Sequence, residues 1–230
     1  MSSESMPLST KDQIEIGFLL YPEVTQLDAT GPAEVLGAMA NARVHMLWKE
    51  RVPVRAEVGF ELLPTTAFAD CPDLDVICVP GGAGLFALMD DAEVLDFLRR
   101  QGAQASYVTS VCTGALLLGA AGLLRGYRSA CHWAFREQLA QYGAEVVAER
   151  VVRDRNRMSG GGVTAGIDFA LTLVAEICGA EQAQIIQLGL EYDPAPPFDS
   201  GSPERATPEA VATIRSLFRP ERYARANATP

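Results

Sequence analysis

Cys112, in the stretch Val108-Thr109-Ser110-Val111-Cys112-Thr113-Gly114, is the side chain whose setting best suits chemistry. An apolar, largely β-branched run from Tyr107 to Val111 stops at the cysteine. Small residues then lead into the apolar run Ala115 to Ala121. This pattern predicts a strand breaking directly into a helix, with the thiol at the corner. Such a corner lies at the carboxyl edge of a parallel sheet, where α/β folds gather their ligands. The helix that follows turns unpaired N–H groups and the positive end of its dipole toward the sulfur, which is expected to favour the nucleophilic thiolate. The arrangement has the logic of a nucleophile elbow with cysteine in place of serine.

A thiol nucleophile needs a proton partner and anion donors. Asp28 precedes the helix signal Thr30-Gly31-Pro32, where Thr30 suits an N-cap and Pro32 the first turn, so its carboxyl is expected at the same sheet edge as Cys112. A carboxyl beside a thiolate has a raised pKa and can serve as a proton donor. The same residue also reads as an ordinary acid at a helix start. His132, at another helix start beside Trp133, is either a base for Cys112 or a structural hydrogen-bonding group. The Gly81-Gly82-Ala83-Gly84 run allows close backbone approach, and the N–H groups of Gly82 and Thr113 are the expected anion donors. Gly81, His132 and Val163 are the candidate pocket residues.

The other four cysteines, Cys71, Cys78, Cys131 and Cys178, form no CxxC pair and no even framework, and Cys131 has no metal-ligand spacing around it. The chain is expected to keep reduced thiols in the cytoplasm, because Met1 to Lys11 lacks a secretory apolar core. A net charge of -10, spread along the chain, argues against nucleic acid and anionic membranes as partners. The apolar stretch Ala115 to Leu124 is too short to span a bilayer. The glycine loop is not GxGxxG, so a nicotinamide dinucleotide is not expected.

The elements that must position these residues alternate. Ile14 to Tyr21, Arg43 to Trp48, Leu74 to Pro80 and Tyr107 to Val111 read as buried strands, and Val52 to Phe68 as a small antiparallel excursion. Helices are expected over Asp91 to Gln104, from His132 to about Tyr142, over Thr164 to Cys178 and over Ala180 to Leu190. Late strands fall at Glu145 to Ala148 and in the Arg150–Ser159 region, the latter a hairpin with its tip at Asp154-Arg155-Asn156. The alternation predicts an α/β domain with a mostly parallel sheet flanked by helices. The expected division is a disordered or extended segment 1–13, one domain over 14–203, and a C-terminal helix and tail over 204–230. Pro208 to Phe218 is expected to be helical and the last ten residues to fray.

The cysteine stretch resembles the elbow of the ThiJ/PfpI superfamily, the class I glutamine amidotransferase-like fold. Further stretches are similar to its isocyanide hydratase branch: Gln26-Leu27-Asp28-Ala29-Thr30-Gly31-Pro32, Pro80-Gly81-Gly82, Gly160 to Leu171, and Leu190 to Phe198. The resemblance implies a flavodoxin-like sandwich, a homodimer, and no metal or organic cofactor. It also implies hydration of a small isocyanide to an N-substituted formamide: Cys112 attacks the terminal carbon, Asp28 supplies and later removes a proton, and Thr113 holds the acid or water. Sister branches commonly place histidine after the nucleophile, where this chain has Thr113, or use glutamate where it has Asp28. A cysteine-dependent glyoxalase or deglycase-like enzyme is the second reading. A non-catalytic small-molecule or redox sensor, of the kind fused to helix-turn-helix domains in AraC-type regulators, is the third. The 32 residues after Phe198 are too few for such a domain.

Overall fold

The computed structural model describes residues 8–218. Its elements run β1 (Ile14–Leu19), α1 (Gln26–Gly37), β2 (Ala42–Trp48), β3 (Val54–Arg55), β4 (Glu61–Leu62), β5 (Thr66–Ala67), β6 (Val76–Val79), α2 (Leu85–Leu88), α3 (Ala92–Gln104), β7 (Tyr107–Val111) and α4 (Gly114–Ala120). They continue through β8 (Arg128–Ser129), α5 (Arg136–Gln141), β9 (Glu145–Val146), β10 (Val151–Asp154), β11 (Arg157–Gly160), α6 (Ala165–Cys178), α7 (Ala180–Gly189) and α8 (Pro208–Leu217). Seven strands form the central sheet in the order β10-β11-β7-β6-β1-β2-β5. Every neighbouring pair in it is parallel except β10 with β11.

Strand side chains alternate between two separate cores, which is why the strands read as near-continuous apolar runs. Ile14, Ile16 and Phe18 of β1 and Val76 and Cys78 of β6 join one core with Val35 of α1 and Phe169 and Leu173 of α6. Leu19, Ile77 and Val79 face the other core, with Leu98 of α3, Leu117 of α4 and Leu139 of α5. The sheet is therefore buried on both faces between helical layers. The chain leaves β1 toward β2 on one side and later β6 toward β7 on the other. The strand order thus reverses at β1 and β6, and a crevice opens beyond their carboxyl ends.

Three expectations need correction. Helix α1 begins at Gln26 with Thr25 at its N-cap position, so Asp28 lies inside the first turn, Thr30 is no cap, and Pro32 sits within the helix. The excursion is only partly antiparallel: β3 and β4 form a hairpin, but β5 adds to the main sheet parallel to β2. The start of the chain is not loose throughout, since Leu8–Thr10 forms a 3-10 turn with Leu8 buried, and Lys11 pairs with Asp75. The expected hairpin is present, with Arg155 in a left-handed conformation at its tip. Fraying of the last ten residues concerns positions that lie outside the described residues.

Candidate active site

The sheet edge brings together three loops that are distant in sequence. Cys112 follows β7 with φ at 59°, a left-handed backbone conformation that costs a non-glycine residue about 1–3 kcal/mol. Its surroundings hold it there. The Cys112 N–H donates to the Gly160 carbonyl at 2.9 Å, and its carbonyl accepts from the His132 N–H at 3.3 Å. Gly114 is required next, because a Cβ there would lie 1.9 Å from the Val79 carbonyl oxygen. The sharp turn and the close passage of α4 over β6 are one feature.

Asp28 is fully buried in the first turn of α1. Its Oδ2 accepts the Gly81 N–H at 2.8 Å, while Oδ1 is buried without a hydrogen-bond partner of ordinary geometry. Burial raises the Asp28 pKa to about 7, against the Gly81 N–H and the neighbouring Cys112 thiol, which both favour the charged form; Glu57 raises it further. The expected upward direction is therefore present, with loss of solvent as its main cause.

Cys112 departs from its expectation. Burial pushes its thiol well above the ordinary value, Asp28, Cys131 and Glu57 add to the rise, and only the Thr113 N–H acts in the other direction. The end of a seven-residue helix does not offset the removal of water from a buried sulfur. At rest the pair is a thiol beside a carboxyl that titrates near neutrality.

The Gly81–Gly82 loop ties the two sides together. The Gly82 N–H donates to Thr113 Oγ1 at 3.2 Å, so this amide is already engaged and only the Thr113 amide faces the sulfur. No hydrogen bond joins Thr113 to Asp28 among the described residues. Each is bound to the glycine loop instead. A Cβ on Gly81 would stand 2.5 Å from Thr113 Oγ1 and 2.9 Å from Asp28 Oδ2, so no larger residue fits between them.

A pocket of about 150 Å³ opens at Cys112 and Thr113, and Gly82, His132 and Val163 line it. Gly81 stands behind it, against Asp28 and Thr113. His132 acts as the cap of a short 3-10 turn: its Nδ1 accepts the Ala134 N–H at 3.3 Å, which places the ring proton on Nε2. Burial, aided by Arg136, lowers its pKa to about 4, so the ring is neutral. The remaining wall was not legible in the sequence. Phe86, Phe135 and Phe218 supply an aromatic wall, with Phe135 bridging the other two at centroid distances of 5.6 and 5.9 Å. Glu57, from the β3–β4 hairpin, joins the loops by accepting from Thr25 Oγ1 at 2.6 Å and from the Ala83 N–H at 2.7 Å. Among the described residues, no lysine or arginine lines this pocket. Among the described residues, no group of three His, Cys, Asp or Glu side chains is placed to hold a metal ion.

The later motif stretches also fasten the chain beyond the pocket. Asp168 receives Arg150 Nη2 at 2.5 Å and the Tyr192 hydroxyl at 3.0 Å, fastening the start of the proline-rich segment to α6.

The fold and the cysteine elbow define a class, and sequence comparison agrees with it. The DJ-1/PfpI family model matches residues 15–176, and the chain belongs to that family. Over 207 residues it is 58% identical to the isonitrile hydratase of Pseudomonas putida, covering 90% of this chain and 91% of that protein. It is 30% identical over 197 residues to the HTH-type transcriptional regulator GbdR of Pseudomonas aeruginosa, 82% of this chain but only 53% of the regulator. Among solved structures, a ThiJ/PfpI family protein from Pseudomonas syringae superposes with a TM-score of 0.87 at 42% identity, over 94% of this chain and 92% of that one. No helix of the described residues is long and apolar enough to cross a membrane.

Proposed function

We propose that this chain hydrates an isocyanide, R–N≡C, to the N-substituted formamide, with Cys112 as nucleophile and Asp28 as proton carrier. The observation that carries the reading is the buried carboxyl beside the Cys112 thiol, in a pocket that no lysine or arginine of the described residues lines. An uncharged, electrophilic carbon suits that space. The 58% identity to an isonitrile hydratase points the same way.

In the mechanism, the Cys112 S–H proton passes to the Asp28 carboxylate as sulfur bonds to the terminal carbon. Asp28 then delivers that proton to the same carbon, giving a thioimidate, R–N=CH–S–Cys112. Water adds to this carbon with Asp28 as base, and the proton goes on to nitrogen. The C–S bond then breaks, and the sulfur recovers the proton of the added hydroxyl, leaving R–NH–CHO. Covalent catalysis of this kind divides one hard addition into two easier ones. The Thr113 N–H is the natural partner of charge developing on sulfur. The homodimer implied by the resemblance and the cytoplasmic setting expected from the N-terminal sequence and the cysteines belong to the same proposal, as does the absence of a cofactor from this mechanism.

The similarity to GbdR favours one alternative, a sensor that binds a small molecule without converting it. Incubation with p-nitrophenyl isocyanide, with formamide followed by absorbance and Cys112→Ala alongside, separates the two. Thiol-dependent formamide is expected. Saturable binding without product would sustain the sensor.

A further inference from the structure

Next to the Cys112 pocket lies a larger cavity of about 480 Å³, and His132 and Val163 line both. These two side chains form the partition between a small compartment at the thiol and a roomy one reaching the start of α5 and the segment before α8. A pocket of about 150 Å³ holds an isocyano group with a few further atoms. Any longer N-substituent must leave it, and the space behind the partition is available.

Most of the charges in that second space are paired. Arg150 is held by Asp168, Arg205 by Asp199 at 2.5 Å, and Glu149 by Arg128 at 3.3 Å. Glu204 sits exposed on the rim, its carboxylate steadied by its own backbone N–H and by Ser202. Arg136 differs. It lines the cavity, no carboxylate of the described residues lies within ion-pair distance of it although Glu204 on the rim feels its charge, and its Nε is buried with no acceptor. A guanidinium presents a fixed fork of donors that matches a carboxylate.

We infer that this cavity is the subsite for the distal end of the substrate, and that Arg136 binds a carboxylate there, so that the substrate class is the ω-isocyano carboxylates. The inference rests on the hydratase reading above. The uncharged isocyano carbon occupies the small pocket, the chain passes His132 and Val163, and the anion meets Arg136. Arg136 is then a specificity-determining residue that touches neither reacting atom.

The test is a series of isocyano carboxylates with one to four methylene groups, each compared with its methyl ester. The readout is the ratio of kcat/KM for acid over ester within one protein preparation, which cancels any loss of folded enzyme. A charge-assisted hydrogen-bonded pair predicts a ratio of about tenfold or more for at least one chain length in the wild type, carried by KM. The ratio should fall to about one or below in Arg136→Gln and stay intermediate in Arg136→Lys. A wild-type ratio at or below one for every chain length, or a ratio that Arg136→Gln leaves unchanged, overturns the assignment. Failure of all neutral isocyanides to react would instead count against the hydratase reading. Calorimetric titration with the N-formyl amino acid of the chain length that gives the highest ratio, and with its methyl ester, then reads the subsite directly, and equal binding of the two would sink it.

Discussion

The Cys112 thiol and the Asp28 carboxyl share one environment and act oppositely on each other: the thiol favours the carboxylate, while the carboxylate disfavours the thiolate. Such a pair titrates as a unit, and its resting form keeps the proton on sulfur. The nucleophile therefore gains its charge during attack and does not hold it beforehand. Asp28→Asn removes the repelling charge and should shift the pH midpoint of Cys112 alkylation by iodoacetamide downward. Formamide production should meanwhile fall by at least about a hundredfold, the scale of a lost general acid. Faster alkylation with slower turnover is the signature; a midpoint unchanged in the variant would contradict the coupling.

The same carboxyl should leave a mark on stability. Its folded pKa of about 7 lies above the ordinary 3.8, so between those values the native state binds a proton that the unfolded chain has lost. Stability from this group is present below about pH 4, declines as pH rises, and is gone above about pH 7. Asp28→Asn should raise the Tm at pH 8 and change it little at pH 4. Equal shifts at the two pH values would exclude an abnormal Asp28.

His132 works with the opposite sign. Its pKa is depressed from 6.5 to about 4, so in that window the unfolded chain takes up a proton that the native state refuses. The stability it contributes is full above about pH 6.5 and is lost as pH falls toward 4. His132→Gln should flatten the acid limb of a urea-midpoint profile over this range. An acid limb of unchanged slope would place the titration elsewhere.

Much of this was legible in the sequence for a physical reason. Buried parallel strands must be apolar on both faces, so β1, β6 and β7 announce themselves, and a strand that breaks into small residues marks the Cys112 elbow. Asp28 was readable as a residue of that edge, but its helix was not, because Pro32 within α1 looked like a helix start. The thiol's ionisation was misread because burial is a tertiary property that no spacing encodes. Glu57, Phe135 and Phe218 carry no local signal at all. They reach the pocket from a hairpin, a 3-10 turn and the end of α8, and only the assembled fold makes them neighbours.

Gly81 separates catalysis from folding. A methyl group there collides with Thr113 Oγ1 and Asp28 Oδ2 at the point where one loop ties both sides of the site. Gly81→Ala should cost about 1–3 kcal/mol of stability, as overpacking does, and should reduce turnover by far more than the accompanying loss of folded protein. Denaturant melts and active-site alkylation on the same samples would show whether the remaining folded fraction is inactive. A folded Gly81→Ala with wild-type turnover would mean that the loop has room the structure does not give it.

Phe218 tests whether the C-terminal helix belongs to the active site. Its ring meets His132 edge-on at a centroid distance of 5.2 Å and Phe135 at 5.9 Å, closing one side of the Cys112 pocket. An aromatic contact of this kind is worth about 1 kcal/mol, so Phe218→Ala should lower stability only slightly. It should widen the pocket, raising KM for methyl isocyanide severalfold while raising kcat/KM for bulkier tert-alkyl isocyanides above the wild-type value. Because the expected gain on bulky substrates cannot come from general damage, a uniform loss across the series would remove Phe218 from the substrate wall and leave α8 a purely structural cover.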